Sequence, residues 1–178
     1  MRGWPAIAIA VLALGALSGG AAYENAALRG DDWREISWPF PRDGWPTGRA
    51  FRCASCGGAV EVYVRPKVGF CNCDRGVTDD DEVDRVADID LLSERFVPLE
   101  AGKVVHVADM QGRVRSYDVR MSDGSQRAAI GIAVSRRCDL LVAVAQGKGD
   151  AASVQRVALE FLGAKDNARW ITAAMEAR

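Results

Sequence analysis

Five cysteines have the widest chemical reach in this chain, and four of them fall in two short pairs. Cys53-Ala54-Ser55-Cys56 is a C-x2-C, and after fourteen intervening residues Cys71-Asn72-Cys73 is a C-x-C. Between them Val60-Glu61-Val62-Tyr63-Val64 is rich in β-branched residues with a period of two, the pattern of a strand. Arg65-Pro66-Lys67 reads as a turn and Val68-Gly69-Phe70-Cys71 as the returning strand. Facing residues of an antiparallel hairpin keep a constant sum of residue numbers. The pairs 53/73 and 56/71 differ by only one in that sum, so Cys53, Cys56, Cys71 and Cys73 are expected together at the open end of one ribbon.

Four chemistries suit such a cluster. Disulfides 53–73 and 56–71 would staple a small domain in an oxidising compartment, although four cysteines allow three connectivities. A tetrahedral zinc site is the alternative cofactor, with the C-x-C as a departure from the usual zinc-ribbon spacing. Copper(I) favours the same soft ligands. A redox dithiol at Cys53/Cys56 lacks the helix N-terminus that ordinarily lowers a thiol pKa. Cys138 opens an apolar stretch and reads as a buried thiol, with an intermolecular bridge or an exchange with the hairpin set as alternatives.

Other reactive constellations are missing from the sequence. His106 is the single histidine, which excludes a multi-histidine metal centre, and neither cysteine pair is followed by the histidine of a c-type haem site. There is no G-x-S-x-G, no glycine-rich phosphate loop and no H-E-x-x-H. Asp79-Asp80-Asp81-Glu82 suits the solvated start of a helix better than a cation site. A non-catalytic protein is therefore expected, without a cofactor unless the thiols take zinc. With 23 basic and 24 acidic residues the formal charge is −1, so no basic excess exists to neutralise a nucleic acid.

The compartment decides what the thiols mean. Met1-Arg2-Gly3 is followed by an uncharged run, with Trp4, Ile7, Ile9, Val11, Leu12, Leu14 and Leu17 as its large apolar members, then by Ser18-Gly19-Gly20-Ala21-Ala22. This is the plan of a secretory signal, with Gly20 and Ala22 at −3 and −1 of a cleavage site. The uncharged run from Gly3 to Tyr23 would also make about 31 Å of helix, enough to span a bilayer as an anchor. Residues 1–23 are thus expected to be a signal or a single transmembrane anchor. In either case the N-terminus is cytoplasmic and the rest is periplasmic, exported or tethered to an inner membrane. No cysteine follows the apolar run, so a lipoprotein is excluded. Export favours disulfides over zinc.

The elements that must position the cysteines come next. Residues 24–50 read as a linker or strap in which Trp33, Trp38, Phe40 and Trp45 are interleaved with Pro39, Pro41 and Pro46. Prolines favour extended backbone. The aromatics either plug grooves on the domain or rest on a membrane or a partner protein, where Trp is enriched. Residues 51–178 are expected to form one domain, with the cysteine hairpin over 51–76 and a helix, meander and helix over 77–178. A helix capped by Thr78 is expected over 79–92. Strands follow at 103–109, 113–121, 127–134 and 138–145, with Asp123-Gly124 as a hairpin turn. On the third of these strands Ala128, Ile130, Ile132 and Val134 share one face, while Ala129, Gly131 and Ala133 leave the other open to a close helix. The last strand, apolar on both faces, is expected to be central. Asp150 or Ser153 caps a final helix whose apolar stripe is Val154, Val157, Ala158, Phe161 and Leu162, with a break at Gly163.

This order of elements is an α+β plan. Over residues 79–176 it resembles the PsbP-like fold of photosystem II extrinsic subunits, with its helix, antiparallel meander and long C-terminal helix. The resemblance implies attachment to a membrane complex and a part in its assembly or stability; the cysteine hairpin is not part of that pattern. The expected function is a non-catalytic accessory or interaction subunit at the inner membrane. The alternative is a metal-handling or thiol-redox protein working through the four clustered cysteines.

Overall fold

A computed structural model describes residues 32–69 and 73–176. The expected signal or anchor, with Trp4, Ile7, Ile9, Val11, Leu12, Leu14 and Leu17, lies outside the described residues, as does Cys71. Among the described residues no helix is long and apolar enough to cross a membrane.

The chain is α+β. Its strands are β1 (Trp33–Ile36), β2 (Arg49–Cys53), β3 (Val60–Lys67), β4 (Phe96–Pro98), β5 (Lys103–Val107), β6 (Met110–Arg120), β7 (Gln126–Arg136) and β8 (Asp139–Gly147). The helices are α1 (Asp80–Val86), α2 (Ala151–Gly163) and α3 (Lys165–Glu176), with a 3-10 turn at Ile89–Leu91. All strand pairs are antiparallel, in the order β1-β2-β3-β8-β7-β6-β4, and β5 also pairs with β6.

Strand β8 sits between β3 and β7, and every one of its residues is buried. A strand apolar on both sides cannot face water on either, so it takes the middle of a covered sheet. On one face Val62, Ile130, Ile132, Leu141 and Ala143 meet the expected stripe of α2, all five residues of which are buried, and Ile171 and Met175 of α3. Asp150 caps α2, accepting hydrogen bonds from the backbone N–H and hydroxyl of Ser153. On the other face Tyr63, Tyr117, Val142 and Val144 lie beneath Val83, Val86, Ala87 and Ile89. The small-residue stripe of β7 permits this approach: a Cβ on Gly131 would stand 2.9 Å from that of Ala87.

Three local expectations are corrected. The first hairpin is β2–β3, not residues 60–64 with 68–71. Strand β3 runs straight through Pro66, which pairs with Leu141. Beyond Val64 no β2 residue flanks β3, so a residue without an N–H is tolerated there as on an edge strand. The 79–92 helix is shorter, because Asp88 adopts a left-handed conformation (φ 59°) after α1 and only a 3-10 turn follows. Its cap is Asp79, whose carboxylate accepts from the Glu82 N–H at 2.8 Å, in place of Thr78. The segment expected as a strap contributes the outermost strand, β1, to the sheet.

Candidate functional site

Two disulfides are present, and neither is one of the expected pairs. Cys53, the last residue of β2, is bonded to Cys56 within the β2–β3 connection, and Cys73 to Cys138, with Cα separations of 5.6 and 4.4 Å. The register explains the correction. Cys53 faces Val60 in the β2–β3 ladder, while the other edge of β3 is taken by β8, with Lys67 opposite Leu140. Residues after 67 therefore cannot return beside β3, and the chain crosses to the β7–β8 turn instead. Three ties hold it there: the Gly69 N–H donates to Asp139 at 2.7 Å, Cys73 bonds Cys138, and the Val77 N–H donates to the Ser135 hydroxyl at 3.4 Å.

The bridges thus stand at opposite ends of β3, whose eight residues span roughly 23 Å. Cys53 and Cys56 therefore stand apart from Cys73, and each of the three is in a disulfide. Among the described residues no three His, Cys, Asp or Glu side chains gather as a metal site. Cys138 is not a buried free thiol; it has exchanged into the hairpin set.

The four strap aromatics are all half-buried, and they divide between the two faces of the sheet. Trp33 packs on Phe161 of α2 with ring centroids 4.3 Å apart. Trp38 and Phe40 meet edge-on at 5.3 Å and flank Tyr63 at 6.2 and 4.8 Å. Trp45 lies over the Lys67 ammonium at 5.5 Å.

Under the strap lies a charge network that spacing did not reveal. Arg65 and Lys67 are 2% and 4% exposed. The Arg65 guanidinium donates to both Asp43 oxygens at 2.9 and 2.6 Å and to Asp88 at 2.7 Å. Lys67 donates to Asp88 and to the Val86 carbonyl. Burial alone would push the Arg65 pKa down, but its bonds to Asp43 and Asp88 outweigh that and raise it. The Arg65 hydrogen bonds hold the Asp43 carboxyl down at about 2. Asp88, whose backbone is left-handed, thus sets one carboxylate between two buried cations.

The acidic run is also spent on structure. Asp80 accepts from Arg113 at 2.6 and 2.8 Å and from the Gly102 N–H at 2.9 Å. Nearby, Asp84 accepts from Arg115 and the Tyr117 hydroxyl, each at 2.6 Å. These acids clamp α1 to β6. His106 is exposed on β5 and takes no part in a cluster.

One polar group on the sheet escaped sequence reasoning altogether. Glu61, Tyr63 and Gln146 interlock by hydrogen bonds: Tyr63 donates to Glu61 at 2.5 Å, and the Gln146 amide donates to Glu61 at 3.0 Å and to the Tyr63 oxygen at 3.1 Å. No motif links these positions; only the Glu61–Gln146 register of β3 with β8 brings them together.

Fold and bridges define a disulfide-bridged α+β protein built on one antiparallel sheet sheltered on both faces. Comparison with family models and with curated proteins finds no match to this chain.

Proposed function

We propose that this protein is a non-catalytic accessory subunit, exported to or tethered at an inner membrane, that works on the periplasmic side by associating with a membrane or periplasmic complex. The observation that carries this reading is the pair of disulfides, because such bonds persist in oxidising compartments and are rare in the cytosol. The apolar run from Gly3 to Tyr23 supports the same compartment. Contact with a partner is supported by apolar side chains along the outer strands: Val97, Leu99 and Val104 are 60%, 55% and 56% exposed. All three lie on or beside β4 and β5, which pair with β6 alone. Unpaired strand edges with apolar side chains are natural docking surfaces. The exposed parts of Trp33, Trp38, Phe40 and Trp45 would extend such contacts from the strap.

Thiol alkylation in intact cells, before and after reduction, tests the compartment. Four cysteines in bridges leave one of the five to react before reduction. Recovery from the cytosol with all five thiols reactive would sink the proposal.

Thiol–disulfide exchange at Cys53–Cys56 is a second reading, favoured by the bond joining the two cysteines of the C-x2-C and by the partial exposure of Cys56. Cys53 is fully buried at the end of β2, and no helix starts there to stabilise a thiolate. Catalysed reduction of a disulfide substrate, lost in Cys56→Ser, would favour this reading over the accessory one.

A further inference from the structure

The two bridges differ in how a thiol can reach them. Cys53 is fully buried, and Cys56 packs against the main core. Cys73 is the one exposed member of the four bridged cysteines, and its partner Cys138 is half-buried. Thiol–disulfide exchange begins with attack of a thiolate on an accessible sulfur, so exposed bridges are the labile and regulatory ones.

Cys73–Cys138 also joins two pieces that are held differently. Arg136 faces Asp139 across the β7–β8 ladder, so Cys138 sits in the two-residue turn between those strands. Cys73 begins a stretch that leads into α1, whose cap is Asp79. Along it Val77 is buried, and its N–H donates to the Ser135 hydroxyl at 3.4 Å. Arg113 donates to the Thr78 carbonyl at 3.4 Å while also holding Asp80 at 2.6 Å. Residues 73–76 therefore form a flap, seated at Val77 and fastened to the turn through Cys73. Gly76, at φ 62°, supplies the left-handed position where the flap meets its seat.

The flap borders the proposed contact edge. An open cleft of about 270 Å³ is lined by Arg75, Val77 and Thr78 from this stretch, by Val104 of β5, and by Gln111, Gly112 and Ser135 of β6 and β7. Val104 is one of the exposed apolar side chains of that edge.

We propose that Cys73–Cys138 is a redox switch for this edge: a dithiol reductant opens the bridge, the flap swings off the turn, and Arg75 leaves the cleft beside Val104. One thiolate of the reductant attacks Cys73 Sγ, and Cys138 departs as a thiolate. The second thiol then attacks the mixed disulfide, releasing Cys73 and closing the reductant's own disulfide. Two electrons pass to the bridge, and the two thiol protons end on Cys73 and Cys138. The switch regulates the contact surface assigned above and rests on that reading.

Stepwise addition of dithiothreitol to the purified full chain, with alkylation of freed thiols and peptide mapping by mass, gives the order of opening. Cys73 and Cys138 are expected to be freed at about tenfold less reductant than Cys53 and Cys56. In the nitrogen-labelled chain the amides of Gly76, Gln111 and Ser135 should then shift, while those of Ala143 and Ala145 stay in place. The double variant Cys73→Ser/Cys138→Ser should show the same shifts without reductant. Opening of Cys53–Cys56 first, or of both bridges together, would overturn the switch. So would unfolding of the sheet at the same step, which makes the bridge a plain staple, and so would cleft amides that do not move. If the double variant does not fold, the reductant series on the unaltered chain still decides. Failure of the accessory reading has a different signature: no membrane protein co-purifies with the fully bridged chain, whatever the order in which the bridges open.

Discussion

Asp43 is the residue on which the strap depends most. Its carboxylate is the strap's ionic hold on Arg65, a guanidinium otherwise shared with Asp88 alone. Removing one partner of a buried charge costs more than the pair itself contributes, because the survivor stays desolvated. Asp43→Asn should therefore lower stability by about 1–2 kcal/mol, read from denaturant midpoints, and increase quenching of Trp38 and Trp45. The same group sets an acid limit. Its folded-state pKa is depressed from 3.8 to about 2. Its contribution is therefore complete above pH 3.8 and disappears as pH falls toward 2. Integrated, the shift corresponds to about 2.4 kcal/mol at most, and about 1 kcal/mol once solvent at the one-third-exposed carboxylate is allowed for. In Asp43→Asn that portion of the acid destabilisation should be absent. An unchanged acid profile would place the limit elsewhere.

At the scale of elements, the bridges differ in what they restrain. Cys73–Cys138 closes a separation of 65 residues, and Cys53–Cys56 one of 3. The chain-entropy relation gives about 4 kcal/mol for the long loop and about 1.6 for the short one. Cys138→Ser should accordingly shift the unfolding midpoint more than Cys56→Ser, and equal shifts would mean that native-state packing governs both. The contact of α1 with β7 is testable in the same way. A Cβ at Gly131 meets Ala87 at 2.9 Å and Tyr117 at 3.0 Å, so Gly131→Ala should cost about 1–3 kcal/mol through overpacking. Trp38 belongs to this scale as well. Its contacts with Phe40 and Tyr63 imply that Trp38→Ala loses about 2 kcal/mol of packing. A variant that keeps its thermal stability but fails to co-purify with a membrane complex would instead assign that ring to an interface.

For the whole molecule, the sheet explains why sequence and structure agree in some places and diverge in others. Helix α2 was legible because its five-residue stripe and the Asp150 cap are local patterns, and the meander because its strands follow one another with short turns. The partners of β3 were not legible. Residues 68–71 lay nearest in sequence, but β8 is apolar on both sides and must be central, so it takes that edge. The polar group at Gln146 was invisible for a related reason: Glu61, Tyr63 and Gln146 are spread over two strands and share no spacing. What the sequence by itself determined was the α+β class, the element types and the buried faces, since side-chain periodicity is a property of neighbouring residues. Only the tertiary structure decided how the cysteines are used. Strand pairing is non-local: it placed Cys53 and Cys73 at opposite ends of one strand, and so turned an expected four-thiol cluster into two separate bridges.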